Sequence, residues 1–323
     1  MSIEFTEFTE KHISEAVKLA EQELNAERRL CPQLPQWDFC HKLTCLLHWL
    51  SSQPFGKAAV SEGRLVGYML FASPWDGFFG DVKGVFSPLG GSAFSYEYEN
   101  RGRLASQLFE KAAEDFVRQG VYSCALSRYA DDEETAKAFV LNGLGIRCCD
   151  AVGSMTELNV TGTCGNAVFK ELSADNFRAV EQLQRGLHSH LAGSPVFFPP
   201  DKGFDSWFEN WINSKTMRIF TAECDNKTVG FISVDDTAEN FITEYEGMKN
   251  ICGAYSDKAY RQGGLAQSLL AYIRDTLKNE GISHLGVDFE TLNPTALNFW
   301  GKYFQPYTYS FARRIDERIG FLG

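Results

Sequence analysis

No stretch of this 323-residue sequence is apolar for long enough to cross a bilayer; its hydrophobic runs are short and broken by charge or glycine. The opening segment, MSIEFTEFTEKH, sets acids where a secretory leader sets basic residues ahead of an apolar run. Nine cysteines are present, but they are odd in number and scattered, with none of the spacing of a disulfide framework. The composition therefore leads us to expect a reduced, cytoplasmic protein. Basic residues are also in deficit: 31 Lys and Arg stand against 42 Asp and Glu, a formal charge of −11. That balance argues against nucleic-acid binding, which needs a cationic surplus, and mildly favours cationic small molecules. What the chain does have is core-forming material, with 44% hydrophobic residues and a length that suits two domains.

The sequence contains itself twice. Residues 92–120 lie over 253–281 without a gap at an offset of 161, with identities at Ala93/Ala254, Ser95/Ser256, Gly102/Gly263, Leu104/Leu265, Ala105/Ala266, Leu108/Leu269 and Gly120/Gly281. The match extends upstream and downstream at nearly the same offset, which indicates tandem duplication. The turn-rich segment 159–166 marks the expected linker, between a domain over 1–158 and another over 167–323. Each half reads alike: a short strand (Ile3–Phe8; Ala167–Leu172), an amphipathic helix, and a second helix (about 39–51; about 204–213). A hairpin follows, then a strand, a glycine turn, a long helix, an apolar strand, a last helix and a last strand. This order implies an α/β (α+β) fold, with mixed, mostly antiparallel sheets flanked by helices.

The glycine turn carries the chemistry. In the second half a strand, ICGAYSD, runs into KAYRQGGLA and then a helix with Leu265, Leu269, Ile273 and Leu277 on one face. Backbone N–H groups at such a helix start have no intrahelical partner, and with the helix dipole they suit a pyrophosphate. Gly263 and Gly264 allow close approach, and Arg261 adds a charge. A plain glycine turn is the alternative on spacing alone. Arg261-x-x-Gly264-x-Ala266, followed by Thr291, Asn293, Ala296 and Phe299 in TLNPTALNF, resembles the GNAT superfamily of acyl-CoA N-acyltransferases. The resemblance covers 167–315 and, more weakly, 3–158.

It implies two tandem GNAT-like domains using acetyl-CoA as cosubstrate. Main-chain groups of Ala254, Tyr255 and Ser256 are expected to pair with the pantetheine arm. Arg261, Gln262, Gly263, Gly264, Leu265 and Ala266 are expected to hold the pyrophosphate, and Asn293 and Phe299 to flank the thioester. Direct attack by a primary amine needs a base. Glu244 and Glu246 are favoured for it over Asp288 and Glu290, which share one side of the following strand. Trp300 stands where many relatives carry an acidic tyrosine, which leaves Tyr303 or Tyr255 to protonate the leaving thiolate. That thiolate also leaves unaided at neutral pH.

The first half departs further: Asn100 replaces the arginine, and Arg103 puts a side chain where the second glycine would be. It is expected to be a degenerate copy. Cys31, Cys40, His41, Cys45 and His48 lack zinc spacing and sit in an apolar helix pattern, so no metal is expected. His188 and His190 face either the acceptor or solvent; Phe197, Phe198, Trp207 and Trp211 form either an aromatic pocket or core. The expected function is transfer of acetyl to the primary amine of a small cationic molecule, by a monomer or homodimer without nucleic-acid or membrane partners. The alternatives are another acyl-CoA donor, an activity like that of mycothiol synthase, and a non-catalytic CoA-binding regulator.

Overall fold

The computed structural model describes residues 3–78, 80–162, 164–199, 203–236, 238–261 and 263–321. In chain order the first elements are β1 (Glu4–Glu7), α1 (Ile13–Leu30), α2 (Cys40–Ser51), β2 (Phe55–Ser61), β3 (Arg64–Phe71), β4 (Gly84–Ser87) and β5 (Ser92–Phe94). Then come α3 (Arg101–Arg118), β6 (Ser123–Tyr129), α4 (Glu133–Leu141) and β7 (Gly145–Ser154). The second series is β8 (Val168–Glu171), α5 (Glu181–Ala192), α6 (Phe204–Ile212), β9 (Arg218–Cys224), β10 (Lys227–Asp235) and β11 (Met248–Ser256). It ends with α7 (Leu265–Asn279), β12 (His284–Glu290), α8 (Pro294–Trp300) and β13 (Gln305–Arg314). Among the described residues no helix is long and apolar enough to cross a membrane.

The chain divides into two compact units, and the division is not linear. One unit holds Met1–Pro32, Gln36–Cys149 and Pro306–Gly323; the other holds Gln33–Pro35 and Asp150–Gln305. This differs from the expected split into 1–158 and 167–323. The reason is strand pairing: β13, at the end of the chain, pairs antiparallel with β6 from Thr308↔Tyr129 to Arg314↔Ser123. The boundary also falls inside β7, between Cys149 and Asp150.

In the first unit β1, β2, β3 and β5 form an antiparallel sheet in that order, while β4 runs parallel to β6. The apolar stripe of α3 (Leu104, Leu108, Phe109, Phe116) is buried against Phe55, Phe71, Phe94, Phe139 and Phe311. Each such side chain contributes about 1.5–3 kcal/mol relative to exposure. A second core sets α1 and α2 on Tyr68, Leu70 and Ala93 through Ala16, Leu47 and Leu50. Buried charges accompany it. Arg128 donates to Glu23 at 2.7 Å and Asp132 at 2.6 Å, and Arg101 donates to the same two carboxylates at 3.1 and 2.9 Å. The two guanidiniums, working against burial, hold Asp132 down at about 2.

In the second unit the strand order is β7, β12, β11, β10, β9, β8. Strands β8 to β11 are antiparallel neighbours, and β11 runs parallel to β12. Helix α7 buries Leu265, Leu269, Ile273 and Leu277, the four residues its sequence spacing aligns. Val180 and Leu183 at the start of α5 pack with Ile219 and Phe231, and Tyr255 joins them from β11.

Candidate active site

The site in the second unit begins with a strand that loses its partner. β11 and β12 pair from Met248↔His284 to Ile251↔Val287 and no further. β11 continues to Ser256, held on its other side by β10. The β10 register passes from Ser233↔Gly253 to Val234↔Ile251, which leaves Cys252 as an extra, bulged residue. A bulge bends its strand and sharpens the twist, so the bulge and the parting of the strands fall at one position. Beyond it, the edge of β11 facing β12 carries the backbone groups of Ala254, Tyr255 and Ser256 with no β12 partner in the register.

The glycine turn follows directly. Asp257 accepts from the Ala259 N–H at 3.2 Å, and Arg261 Nε donates back to the Ser256 carbonyl at 3.0 Å. The Arg261 guanidinium lies 5.1 Å from the centre of the Tyr255 ring. Gly264 caps α7 in the left-handed region at φ 73, and no side chain supplies the cap. The first N–H groups of α7 are therefore left for an outside acceptor. A Cβ built on Gly263 meets nothing within 4 Å. Leu265 anchors the helix start in the core, and Ala266 is half-buried. Gln262 lies outside the described residues.

Asn293 caps α8, its Oδ1 accepting from the N–H groups of Thr295 and Ala296 at 3.2 and 3.4 Å. It also hydrogen-bonds His190 at the end of α5, whose imidazole is lowered by burial and then by the charges of Arg261 and Lys258. His190 thus joins the turn to α8. Its partners could not be chosen from sequence. Phe299 packs edge-on against Trp300 and Tyr303, with centroids at 4.7 and 5.4 Å, and burial raises the Tyr303 phenol. Tyr255 fits beneath α5 only because residue 186 is glycine: a Cβ there would lie 2.7 Å from its ring.

The carboxylates divide into two groups. Glu244 and Glu246 are exposed ahead of β11. Glu246 lies six residues before Cys252, roughly 20 Å along an extended chain. Asp288 is the first residue of β12 past the paired register. Its side chain reaches solvent but is enclosed by protein, and its carboxyl is pushed up to about 8, by burial first and then by Asp150 and Glu239. Burial also raises Glu239, and burial plus the nearby Asp288 push the Cys252 thiol up to about 12. Sequence reading offered no signal for Glu239 or Asp150, which come from a loop and from β7.

The corresponding helix start in the first unit is closed by its own side chains. Glu134 Oε1 accepts from the Gly102 N–H at 2.9 Å, and Asn100 Oδ1 accepts from the Arg103 N–H at 2.9 Å. Arg101 turns inward to Asp132 and Glu23. Of the aromatic candidates, Trp207 and Trp211 stack on each other, with His188 against Trp207 and Phe204, while Phe197 is 68% exposed. In the cysteine–histidine stretch Cys31 is buried, and His41 faces Cys45 at 3.7 Å. Among the described residues the three-ligand grouping is a different one, Glu21, Asp38 and Cys40.

The sequence profile of the acetyltransferase (GNAT) family matches residues 184–304, the span that contains the parted strands, the glycine turn and α8. Residues 184–304 are a GNAT domain. A GCN5-related N-acetyltransferase from Sphaerobacter thermophilus aligns over 97% of this chain and 95% of its own, at a TM-score of 0.61 and 12% identity. A tandem GNAT protein from the clavulanic acid biosynthesis pathway aligns over 97% and 98%, at a TM-score of 0.52 and 15% identity. At such identities the likeness is one of fold, and it covers both halves of the chain. A search of curated proteins finds no match to this sequence. The match of residues 184–304 to this family supports an acyl-CoA N-acyltransferase activity.

Proposed function

We propose that the chain transfers an acetyl group from acetyl-CoA to a primary amine of a small cationic molecule, in the GNAT domain of the second half. The observation that carries this is the continuous edge from Cys252 to Ala266: strand backbone with no β12 partner, then a turn open at Gly263, then an uncapped helix start. These features fit acyl-CoA. The main-chain groups of Ala254, Tyr255 and Ser256 would take the pantetheine arm as an added strand. The N–H groups between Arg261 and Ala266 would take the pyrophosphate, and Asn293 and Phe299 would border the thioester. Acetyl-CoA supplies an acyl thioester ready for attack by a neutral amine. Tyr303, one turn after Phe299, would donate a proton to the departing sulfur, whereas Glu244 and Glu246, the bases favoured from sequence, are exposed ahead of β11.

The first half, which we read as a duplicated copy joined through 159–166, binds no acyl-CoA. Glu134 fills the place of the phosphate oxygen there and repels an anion. Isothermal titration tests both statements: one acetyl-CoA is expected per chain, and two sites or none refute the assignment. Thiol release with a panel of primary amines separates catalysis from mere binding. Tight binding without turnover on any amine favours the regulator, a reading that Trp300 in place of an acidic tyrosine keeps open.

A further inference from the structure

Asp288 occupies the mouth of the parted strands, one residue beyond the last β11–β12 pair and level with the bulged Cys252. Acidic groups act on it from three directions: Asp150 of β7, Glu239 of the loop after β10, and Glu290 of β12 itself. Cys252 of β11 also lies beside it, with Asp235 of β10 acting on that thiol. Asp150 is held in place by Asn240 Nδ2 at 2.9 Å. Carboxylates gathered this way repel one another, and an entering cation relieves the repulsion. The group is also accessible, which a carboxylate buried for structure alone is not.

We infer that Asp288 is the proton acceptor of the transfer reaction, and that Glu239 and Asp150 hold the amine in its ammonium form beside it. The inference rests on the acyltransferase reading above. An ammonium gives one proton to the Asp288 carboxylate, and the freed nitrogen lone pair attacks the thioester carbonyl carbon. As the C–N bond forms, the carbonyl pair moves to oxygen; its return breaks the C–S bond, and sulfur leaves with the electron pair. Tyr303 gives its phenolic proton to that sulfur and regains one from the nitrogen through solvent, giving amide and thiol, and Asp288 returns its proton to water. A carboxyl pushed up to about 8 is well matched to this task, because a base works best when its affinity for protons lies near the working pH.

The test is thiol release from acetyl-CoA between about pH 5.5 and about 9.5, with spermidine, ethylamine or tyramine as acceptor. Wild type is compared with Asp288→Asn, Asp288→Glu and Glu239→Gln, with titration of acetyl-CoA and thermal melts alongside. We expect Asp288→Asn to lose about 100-fold or more in kcat/KM, together with the limb of the profile near 8, while acetyl-CoA affinity stays within about twofold. Asp288→Glu should restore part of the rate with a displaced limb, and Glu239→Gln should raise KM for spermidine more than it lowers kcat. Full turnover and an unchanged profile in Asp288→Asn, or in Asp288→Glu if the asparagine variant does not melt cooperatively, overturn the inference and leave the acyltransferase reading standing. A wild type that binds no acetyl-CoA, or cleaves it with none of the three amines, sinks both.

Discussion

Gly263 offers a clean separation of folding from binding. A Cβ added there meets no described atom within 4 Å, so the site is open and Gly263→Glu is expected to change stability by less than about 0.5 kcal/mol. If the diphosphate lies over this turn, the new carboxylate comes about 4 Å from a phosphate oxygen. Two like charges at that separation near a protein surface repel by about 4 kcal/mol, less after screening by salt. Allowing for a loss of half, about 2 kcal/mol remains, which is on the order of a 30-fold weaker Kd for acetyl-CoA. Gly264→Ala is the control with the opposite signature. Its φ of 73 imposes about 1–2 kcal/mol of backbone strain on any side chain, so the melting temperature falls by several degrees while a single methyl perturbs binding less. Isothermal titration and thermal melts of the two variants give both quantities. A folded Gly263→Glu protein that binds acetyl-CoA with the wild-type Kd would show that the turn grips no diphosphate.

Three further outcomes follow from the geometry. Gly186→Ala drives a methyl into the Tyr255 ring and should cost about 1–3 kcal/mol, read as a lowered melting temperature in the intact chain. Tyr303→Phe should lower kcat no more than about tenfold, since a thiolate leaves readily without an acid; a larger loss in initial rate would make the phenol indispensable. Asp288 has a folded-state pKa raised to about 8 from an ordinary 3.8. The contribution of Asp288 to stability therefore declines as pH rises from about 4 to about 8, because the folded chain holds a proton there that the unfolded chain gives up. Asp288→Asn should match wild type in thermal melts at pH 3.5 and melt higher at pH 8.5; a lower melting point at pH 8.5 would contradict the crowding of carboxylates.

Much of this was readable from sequence because it is local. The hairpins of β2–β3 and β9–β10, the stripe of α7 and the turn at Gly263–Gly264 are each written in fewer than twenty consecutive residues, where periodicity and glycine suffice. The duplication was legible for the same reason, as two aligned copies of one pattern. The boundary of the compact units was not, because the residues of β13 fit any sheet edge and nothing in them specifies β6 as a partner. Nor could sequence gather Asp150, Glu239 and Asp288, which lie far apart in the chain and meet only after β7 and β12 become neighbours. Glu134 is similar: its run of acids reads as a solvated helix start, yet the side chain closes the helix start at Gly102.

The assignment of Pro306–Gly323 to the unit built from the opening residues reaches beyond this molecule's chemistry. A nonsense codon just ahead of β13 would strip an interior strand from a body whose remaining residues all precede position 150, so a late lesion would unravel the early half. A gene cut at the seam of the repeat would leave neither fragment with its full set of strands, and only co-expression could restore them. Inheritance then becomes all-or-none: neither repeat can be deleted without taking a strand from its sibling.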